Sequence, residues 1–154
     1  MAFLDYFQFY LFSAVKGRVH DNGTPLVGAK LTRTAQDAFN GKTYTDYAIT
    51  DDDGQFEFLP MKIWIFRPFM EPRSFQEIRI EYRSEEKLAW KLTKGCLCHG
   101  CEIAYQEDAK MTPVEVDCNW QNSEDKKQSI IKKKIVSKYF IGIGTLLGVP
   151  MKIN

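Results

Sequence analysis

Histidine is scarce in this chain of 154 residues, which holds only His20 and His99. A Ser-His-Asp triad therefore has few ways to form. The sequence also has no Gly-x-Ser-x-Gly elbow, no glycine-rich phosphate loop and no His-Glu-x-x-His metal motif. These absences argue against an enzyme, and we predict a protein with no catalytic residues and no cofactor.

Long apolar runs are missing as well. No segment reaches the roughly 20 apolar residues that a membrane-spanning helix needs. The apolar start of the chain is interrupted by Asp5 and Gln8 and lacks a basic region, so it does not match a secretory signal. Phe7, Phe9 and Leu11 alternate there with other residues, which predicts a strand. We expect no transmembrane segment and a cytoplasmic location, with the periplasm as the alternative.

Neither sign of charge is in excess, because the net charge is +1, and we expect no nucleic-acid partner. The distribution is uneven. Residues 121–154 hold seven Lys and two acidic residues, a net of +5, which leaves −4 on residues 1–120. We predict a β-sandwich domain over residues 5–120 and a basic C-terminal segment over residues 121–154.

The basic segment allows two conformations. Ile131, Ile135 and Tyr139 recur every four residues among lysines, a spacing that favours an amphipathic helix. Such a helix either lies on the sandwich with solvated lysines or binds a membrane surface or an acidic partner. An extended segment is the alternative.

Strand-and-turn patterns dominate the region from Val15 to Phe58. Val15, Gly17 and Val19 share one face of a strand, because side chains alternate along a strand. Asp21-Asn22-Gly23 then supplies residues that reverse the chain. Asp51-Asp52-Asp53-Gly54 predicts a second turn, which we prefer to a calcium loop because it lacks the spaced ligands. His20 is interpreted as a solvated histidine.

Together these residues resemble the carboxypeptidase regulatory-like domain, a transthyretin-like β-sandwich, in an uncharacterised bacterial family. The residues that carry the resemblance are Gly17, Val19, Asp21, Gly23, Pro25, Leu26, Gly28, Ala29, Thr50, Asp51, Gly54, Phe56 and Phe58. The resemblance implies a mostly-β transthyretin-like or immunoglobulin-like sandwich that serves as a scaffold and binding module. It implies no catalytic residues.

The same alternation predicts nine strands. They cover residues 6–12, 14–20, 27–34, 43–50, 55–59, 61–66, 75–83, 87–93 and 113–118. Leu88, Trp90 and Leu92 are expected on one face of the eighth of these strands, and Trp64 is expected in the core.

The loop from Arg67 to Arg73 is the predicted partner-binding site. It is interrupted by Pro68 and Pro72 and places Arg67, Phe69 and Arg73 between two predicted strands. Aromatic and arginine side chains are enriched at protein–protein hot spots. Binding residues often lie on loops that a rigid scaffold holds.

Four cysteines are present, and three of them lie in Cys96-Leu97-Cys98-His99-Gly100-Cys101. Thiolates and imidazole are zinc ligands, so Cys96, Cys98, Cys101 and the later Cys118 are weak metal candidates. The spacing of the cysteines does not match a zinc ribbon well. A zinc ribbon has two pairs of cysteines separated by two residues, whereas this cluster has one such pair and one pair separated by a single residue. Free thiols are one alternative. Two disulfides, for example one local and one to Cys118, are the other.

These features favour a non-enzymatic module that binds another protein. By analogy alone, the partner would be a secreted bacterial toxin, with this chain as its immunity or adaptor protein. The alternative function is a carbohydrate-binding or cell-surface module. An enzyme with a metal at the cysteine cluster is a third hypothesis, and the absent motifs stand against it.

Overall fold

The structure is a computed structural model that describes residues 8–65, 72–96, 99–102, 113–132, 135–147 and 151–153. Within these residues the chain forms strands and no helix. The strands are β1 (Gln8–Phe12), β2 (Val15–Asp21), β3 (Thr24–Pro25), β4 (Lys30–Asp37), β5 (Thr43–Ile49), β6 (Gln55–Phe58), β7 (Met61–Trp64), β8 (Ser74–Tyr82), β9 (Glu85–Lys94), β10 (Val114–Asn119), β11 (Lys127–Lys132), β12 (Ile135–Ile141), β13 (Gly144–Leu146) and β14 (Met151–Ile153).

Two large sheets and one small sheet build the molecule. The larger has seven strands in the order β14-β11-β12-β9-β8-β4-β5, and all its pairs are antiparallel. The second has the order β13-β10-β2-β3, with β6 also paired to β2. Its β2 and β10 run parallel although about 100 residues separate them in sequence. A two-stranded sheet pairs β1 with β7.

The core lies between the two large sheets, so the predicted β-sandwich is confirmed. One contiguous cluster takes buried residues from both sheets and from β1. Trp90 stands at its centre, with ring centroids 5.2 Å from Phe12 and 5.0 Å from Phe140. No helix in the described residues is long and apolar enough to cross a membrane.

Each of the nine predicted strands overlaps an observed strand. The predicted turn at Asp51–Gly54 is present, because the Asp51 carboxylate accepts the N–H groups of Asp53 and Gln55, both at 2.9 Å. Gly54 has φ +73°, a conformation that glycine adopts without strain. Phe56 and Phe58 both point into the core, as the alternation predicted.

Two structural findings decide expectations about the C-terminal segment and about β9. Of the helical and extended alternatives for the basic segment, the extended one is observed in β11 and β12, which pair with each other. Alternation fails in β9, where a register shift opposite Ile78 and Arg79 buries both Ala89 and Trp90. Leu88 consequently shares its face with Arg79 instead of with Trp90.

Strands from the basic segment complete both large sheets. β12 pairs with β9, and β13 pairs with β10. Phe140, Ile143 and Leu146 are buried in the common core. Residues on both sides of position 120 therefore contribute to one hydrophobic cluster.

Candidate functional site

Strand β5 forms one end of the seven-stranded sheet. Among the described residues it pairs with β4 alone, over seven consecutive residue pairs from Lys30–Ile49 to Gln36–Thr43. The register has no shift along this length. An edge strand of this kind presents a row of backbone donors and acceptors that another chain can use.

The ladder between β4 and β5 shows which groups face outward. At its two ends, Asp37 N–H donates to Lys42 C=O at 2.9 Å and Thr50 N–H donates to Ala29 C=O at 3.0 Å. Hydrogen-bonded and non-hydrogen-bonded pairs alternate in an antiparallel ladder. The outward groups consequently belong to alternate residues of β5, namely Thr43, Thr45, Tyr47 and Ile49.

Exposed apolar side chains accompany those outward groups. Tyr47 is 62% exposed and Ile49 is 68% exposed, both on the face of the sheet that points away from the core. Lys30 places its Nζ 4.8 Å from the centre of the Tyr47 ring. A strand added beside β5 would therefore meet an apolar pair at one end and two threonines at the other.

The opposite face of β5 is fixed by one buried arginine. Arg33 Nε and Nη2 donate to the two carboxylate oxygens of Asp46, at 2.9 and 2.6 Å. Arg33 Nη2 also donates to the carbonyl of Leu59 at 2.6 Å, and the Leu59 side chain is 75% exposed. Bidentate pairing holds the acidic group in place, so Asp46 does not obstruct the edge as an unpaired charge would.

Strand β5 lacks three devices that often protect a sheet edge. Its sequence, Thr-Tyr-Thr-Asp-Tyr-Ala-Ile, contains no lysine and no proline, and its pairing contains no bulge. Proteins commonly place one of these on an exposed edge to prevent it from pairing with other chains. We define residues Thr43–Ile49 as the β5 edge and regard it as the candidate binding site.

The predicted loop site is described only in part. Arg67 and Phe69 lie outside the described residues, as does Cys98 of the cysteine cluster. Arg73 is exposed, and its carbonyl accepts the N–H of Ala38 at 3.0 Å. Arg73 therefore lies beside the β4–β5 turn, close to the start of the β5 edge.

The cysteine cluster contains one local disulfide. Cys96 is bonded to Cys101, whereas Cys118 is a free thiol buried in β10. Burial, and then the neighbouring Asp117 carboxylate, raise the pKa of the Cys118 thiol to about 12. Among the described residues, no group of three or more His, Cys, Asp and Glu side chains could hold a metal ion. Of the alternatives, the local disulfide is present, and the example of a second disulfide to Cys118 is wrong.

Two other expectations about single residues are also wrong. His20 is only 7% exposed, because β10 lies beside β2 and brings Asp117 Oδ2 to 2.8 Å from His20 Nε2. Gly23 N–H donates to the other ring nitrogen, so Nε2 carries the proton that Asp117 accepts. Trp64 is 61% exposed on β7 instead of buried. The burial of His20 and the exposure of Trp64 could not be predicted from alternation along one strand, because both depend on pairing with strands that are distant in sequence.

A shallow groove crosses the outer face of the seven-stranded sheet. It has a volume of about 370 Å³ and spans β5, β4, β8, β9 and the end of β12. Phe75, 47% exposed, is the aromatic residue of its lining, and Leu92 and Ile141 are the other apolar residues there. The polar part of the lining includes Thr34, Gln36, Thr43, Glu77 and Thr93.

Sequence reasoning did not find the β5 edge. The strand itself was predicted, but its place at the end of a sheet follows from how distant strands pair. The comparison with protein families does not identify the site either, because the family that matches is defined by a domain of unknown function. A search of curated proteins finds no match for this chain. The sequence profile of a domain of unknown function, DUF6795, matches residues 15–123, from β2 through β10, and the chain belongs to that family.

Proposed function

We propose that this protein is a non-enzymatic protein-binding module that receives an extended segment of its partner along the β5 edge. The observation that carries the proposal is a regular edge strand that pairs with β4 alone among the described residues and whose outward backbone groups belong to residues with exposed side chains. Strand addition obtains affinity from main-chain hydrogen bonds and specificity from alternate side chains. The β5 edge offers both features.

Side chains around the edge define the partner segment that would fit. Residues of the added strand on the outer face would lie beside Tyr47 and Ile49, which favours apolar residues at alternate positions. Beside Thr43 and Thr45, hydroxyl-bearing or β-branched residues would fit. We therefore propose an extended segment that is apolar at one end and polar at the other.

The proposal also includes a kinship with transthyretin-like domains and the class of the partner protein. The two-sheet sandwich and the tight turns at Gly23 and Gly54 support kinship with transthyretin-like domains. A bacterial toxin remains the proposed partner on the analogy of size and absent active-site motifs alone.

The disulfide bears on cellular location. Disulfides persist in oxidising compartments and are rare in a reducing cytosol. Cys96–Cys101 therefore supports the periplasmic alternative over the cytoplasmic location expected from the N-terminal sequence. Thiol labelling of protein isolated from its native cells, with and without prior reduction, would test this.

Substitutions in the β5 edge test the binding proposal. Thr45→Pro removes an N–H that points away from β4, so it should block strand addition and leave the β4–β5 ladder intact. Tyr47→Lys adds an edge lysine to the apolar end. The partner is captured from a lysate of the native organism and titrated against each variant. We expect a loss of ~2 kcal/mol or more for either change.

Two matched controls accompany that titration. Trp64→Lys alters an aromatic residue with nearly the same exposure as Tyr47, on β7 instead of β5, and should bind normally. The double change Arg67→Ala and Phe69→Ala tests the loop predicted from the sequence. Full affinity of Thr45→Pro, with a loss in the loop variant, would move the site to Arg67–Arg73. Full affinity of all of them would move it to the basic segment, around Lys126–Lys138.

Carbohydrate binding is the second candidate function, and the groove on the outer face of the seven-stranded sheet favours it. An exposed aromatic ring, Phe75, lies there among threonine hydroxyls, an amide and a carboxylate. Sugars present apolar ring faces and hydroxyl groups that match such a surface. Binding on a glycan array that Phe75→Ala abolishes and Tyr47→Lys leaves unchanged would favour this function over the first.

A further inference from the structure

Buried side chains bind much of the backbone from Tyr10 to Ala14, in addition to the pairing of β1 with β7. The carbonyl of Tyr10 accepts from Lys94 Nζ. The carbonyl of Leu11 accepts from Ser74 Oγ at 2.7 Å and from Gln76 Nε2 at 2.9 Å. Lys94, Ser74 and Gln76 are all at most 2% exposed. They project from β8 and β9 into the end of the sandwich, where the chain passes from β1 to β2.

The segment His99–Glu102 binds the same stretch of backbone. Ser13 N–H and Oγ donate to the two oxygens of Glu102, at 2.9 and 2.5 Å. Ala14 N–H donates to His99 Nε2 at 3.0 Å, and Gly100 N–H donates to Ser13 Oγ at 2.6 Å. His99 and Glu102 are almost fully buried. We call the contacts of His99, Gly100 and Glu102 with Ser13 and Ala14 the N-terminal clamp.

A disulfide fastens this clamp to the rest of the fold. Cys101 lies between Gly100 and Glu102 in sequence, and its partner Cys96 lies two residues after Lys94, the last residue of β9. Cys96 is half-buried and Cys101 is 4% exposed. The bond therefore holds a charged carboxylate, Glu102, in a position that is fully removed from water and 3.7 Å from Lys94 Nζ.

We propose that Cys96–Cys101 is a redox-sensitive site, and that its reduction by a dithiol releases the N-terminal clamp. With the bond broken, His99–Glu102 is retained only by non-covalent contacts, namely its hydrogen bonds and the ion pair of Glu102 with Lys94. Loss of the cross-link increases the conformational freedom of the released segment, and this gain in chain entropy favours release. Release would free the N–H groups of Ser13 and Ala14 and loosen β1, whose Phe9, Leu11 and Phe12 belong to the core.

The reduction is an ordinary thiol–disulfide exchange. A thiolate of the dithiol attacks Sγ of Cys96, the more accessible sulfur, and Cys101 leaves as a thiolate that takes a proton from water. The second thiol of the reductant then displaces Cys96. Both cysteines end as thiols, and the reductant ends as a disulfide. This site stands independently of partner binding at the β5 edge.

Hydrogen–deuterium exchange of the whole chain tests the proposal, with dithiothreitol as the reductant. Peptides that cover residues 8–14 should exchange ~10-fold faster or more in the reduced protein. Peptides from β4 and from the centre of β8 should exchange at the same rate in both states. Equal exchange of residues 8–14 in the two states would overturn the proposal. Equal acceleration in all three regions would also overturn it, because the bond would then hold the whole fold.

Cysteine variants separate the disulfide from other effects of the reductant. Cys96→Ser with Cys101→Ser should exchange like the reduced protein without any reductant. Cys118→Ala, which alters the free buried thiol, should exchange at residues 8–14 like the oxidised protein and respond to dithiothreitol in the same way. A double serine variant that exchanges like the oxidised protein would contradict the proposal.

Discussion

At the scale of single residues, Gly54 and Gly28 share a backbone conformation but not an environment. Their φ values are +73° and +74°. A Cβ at Gly54 would lie 2.5 Å from the Val19 carbonyl oxygen, whereas a Cβ at Gly28 would meet nothing within 4 Å. The two positions therefore separate backbone strain from steric overlap.

We expect Gly54→Ala to lower the free energy of unfolding by ~3 kcal/mol, and Gly28→Ala by ~1 kcal/mol. Both variants carry the strain of a positive φ, but only the first forces the turn away from β2. Denaturant unfolding of both proteins measures the difference. Equal losses would show that the turn at Gly54 relaxes freely.

Glu102 should make the free energy of unfolding depend on pH in the acidic range. Burial alone would raise the pKa of Glu102, but the Lys94 ammonium and the hydrogen bonds from Ser13 and Gln76 outweigh burial and hold the pKa below its ordinary value of 4.5. A carboxyl whose pKa is lowered by folding stabilises the protein above its unfolded pKa. That contribution is lost as the pH falls from about 4.5 through the pKa of the folded state.

Glu102→Gln tests this linkage. We expect it to lower the free energy of unfolding at pH 7 by ~3 kcal/mol, because it leaves Lys94 buried without its counter-ion. The loss of stability between pH 5 and pH 3 should then be smaller than in the unaltered protein. Urea unfolding across this pH range is the measurement.

Glu115→Gln is the control for that experiment. Glu115 lies 3.3 Å from Lys16, but its side chain is 50% exposed, so its pairing should contribute less than ~1 kcal/mol. If Glu115→Gln reduced the loss of stability between pH 5 and pH 3 as much as Glu102→Gln does, Glu102 would not be the responsible group.

At the scale of elements, the β8–β9 hairpin contains a strained turn. Tyr82 pairs with Glu85, and the two residues between them, Arg83 and Ser84, have φ +48° and +63°. Two positive φ values define the type I′ turn, which favours asparagine or glycine at both positions. Neither occupies this turn, although it joins two of the longest strands in the sandwich.

Ser84→Gly should therefore stabilise the protein by ~0.5–1 kcal/mol. The strain of a left-handed residue is removed, and the greater freedom of glycine in the unfolded chain offsets part of the gain. The midpoint of thermal or denaturant unfolding measures the change. Ser123→Gly, at an exposed position outside the strands, serves as the control and should give no gain. A lower midpoint for Ser84→Gly would contradict the strain argument.

At the scale of the whole molecule, the predicted boundary at residue 120 can be tested by truncation. β12 and β13 cover edges of β9 and β10, and Phe140, Ile143 and Leu146 lie in the common core. We expect residues 1–120 alone to lack a cooperative unfolding transition, because each missing side chain removes ~1.5–3 kcal/mol of apolar burial. A cooperative transition in the truncated chain would instead support an independent domain over 5–120.

Local sequence determined nine of the described strands, the tight turns and the two-faced pattern of the sandwich. Val15, Val19, Phe56 and Phe58 alternate with polar residues, and alternation alone specifies which face is buried once a sheet forms. The turns at Gly23 and Gly54 follow from residues that accept positive φ. These properties depend on neighbours in sequence, so no tertiary knowledge was needed to predict them.

Only the tertiary structure decided which strands lie at the edges and which polar groups meet. The parallel pairing of β2 with β10 buried His20 against Asp117, and the sheet order left β5 with one described partner. Strands β11 and β12 formed where the sequence also allowed a helix, because pairing in a sheet outweighed a helical spacing. Local periodicity carries no information about pairing between segments about 100 residues apart. The N-terminal clamp depends on contacts between distant segments and the β5 edge depends on the order of strands in the sheet, and neither could be read from the sequence.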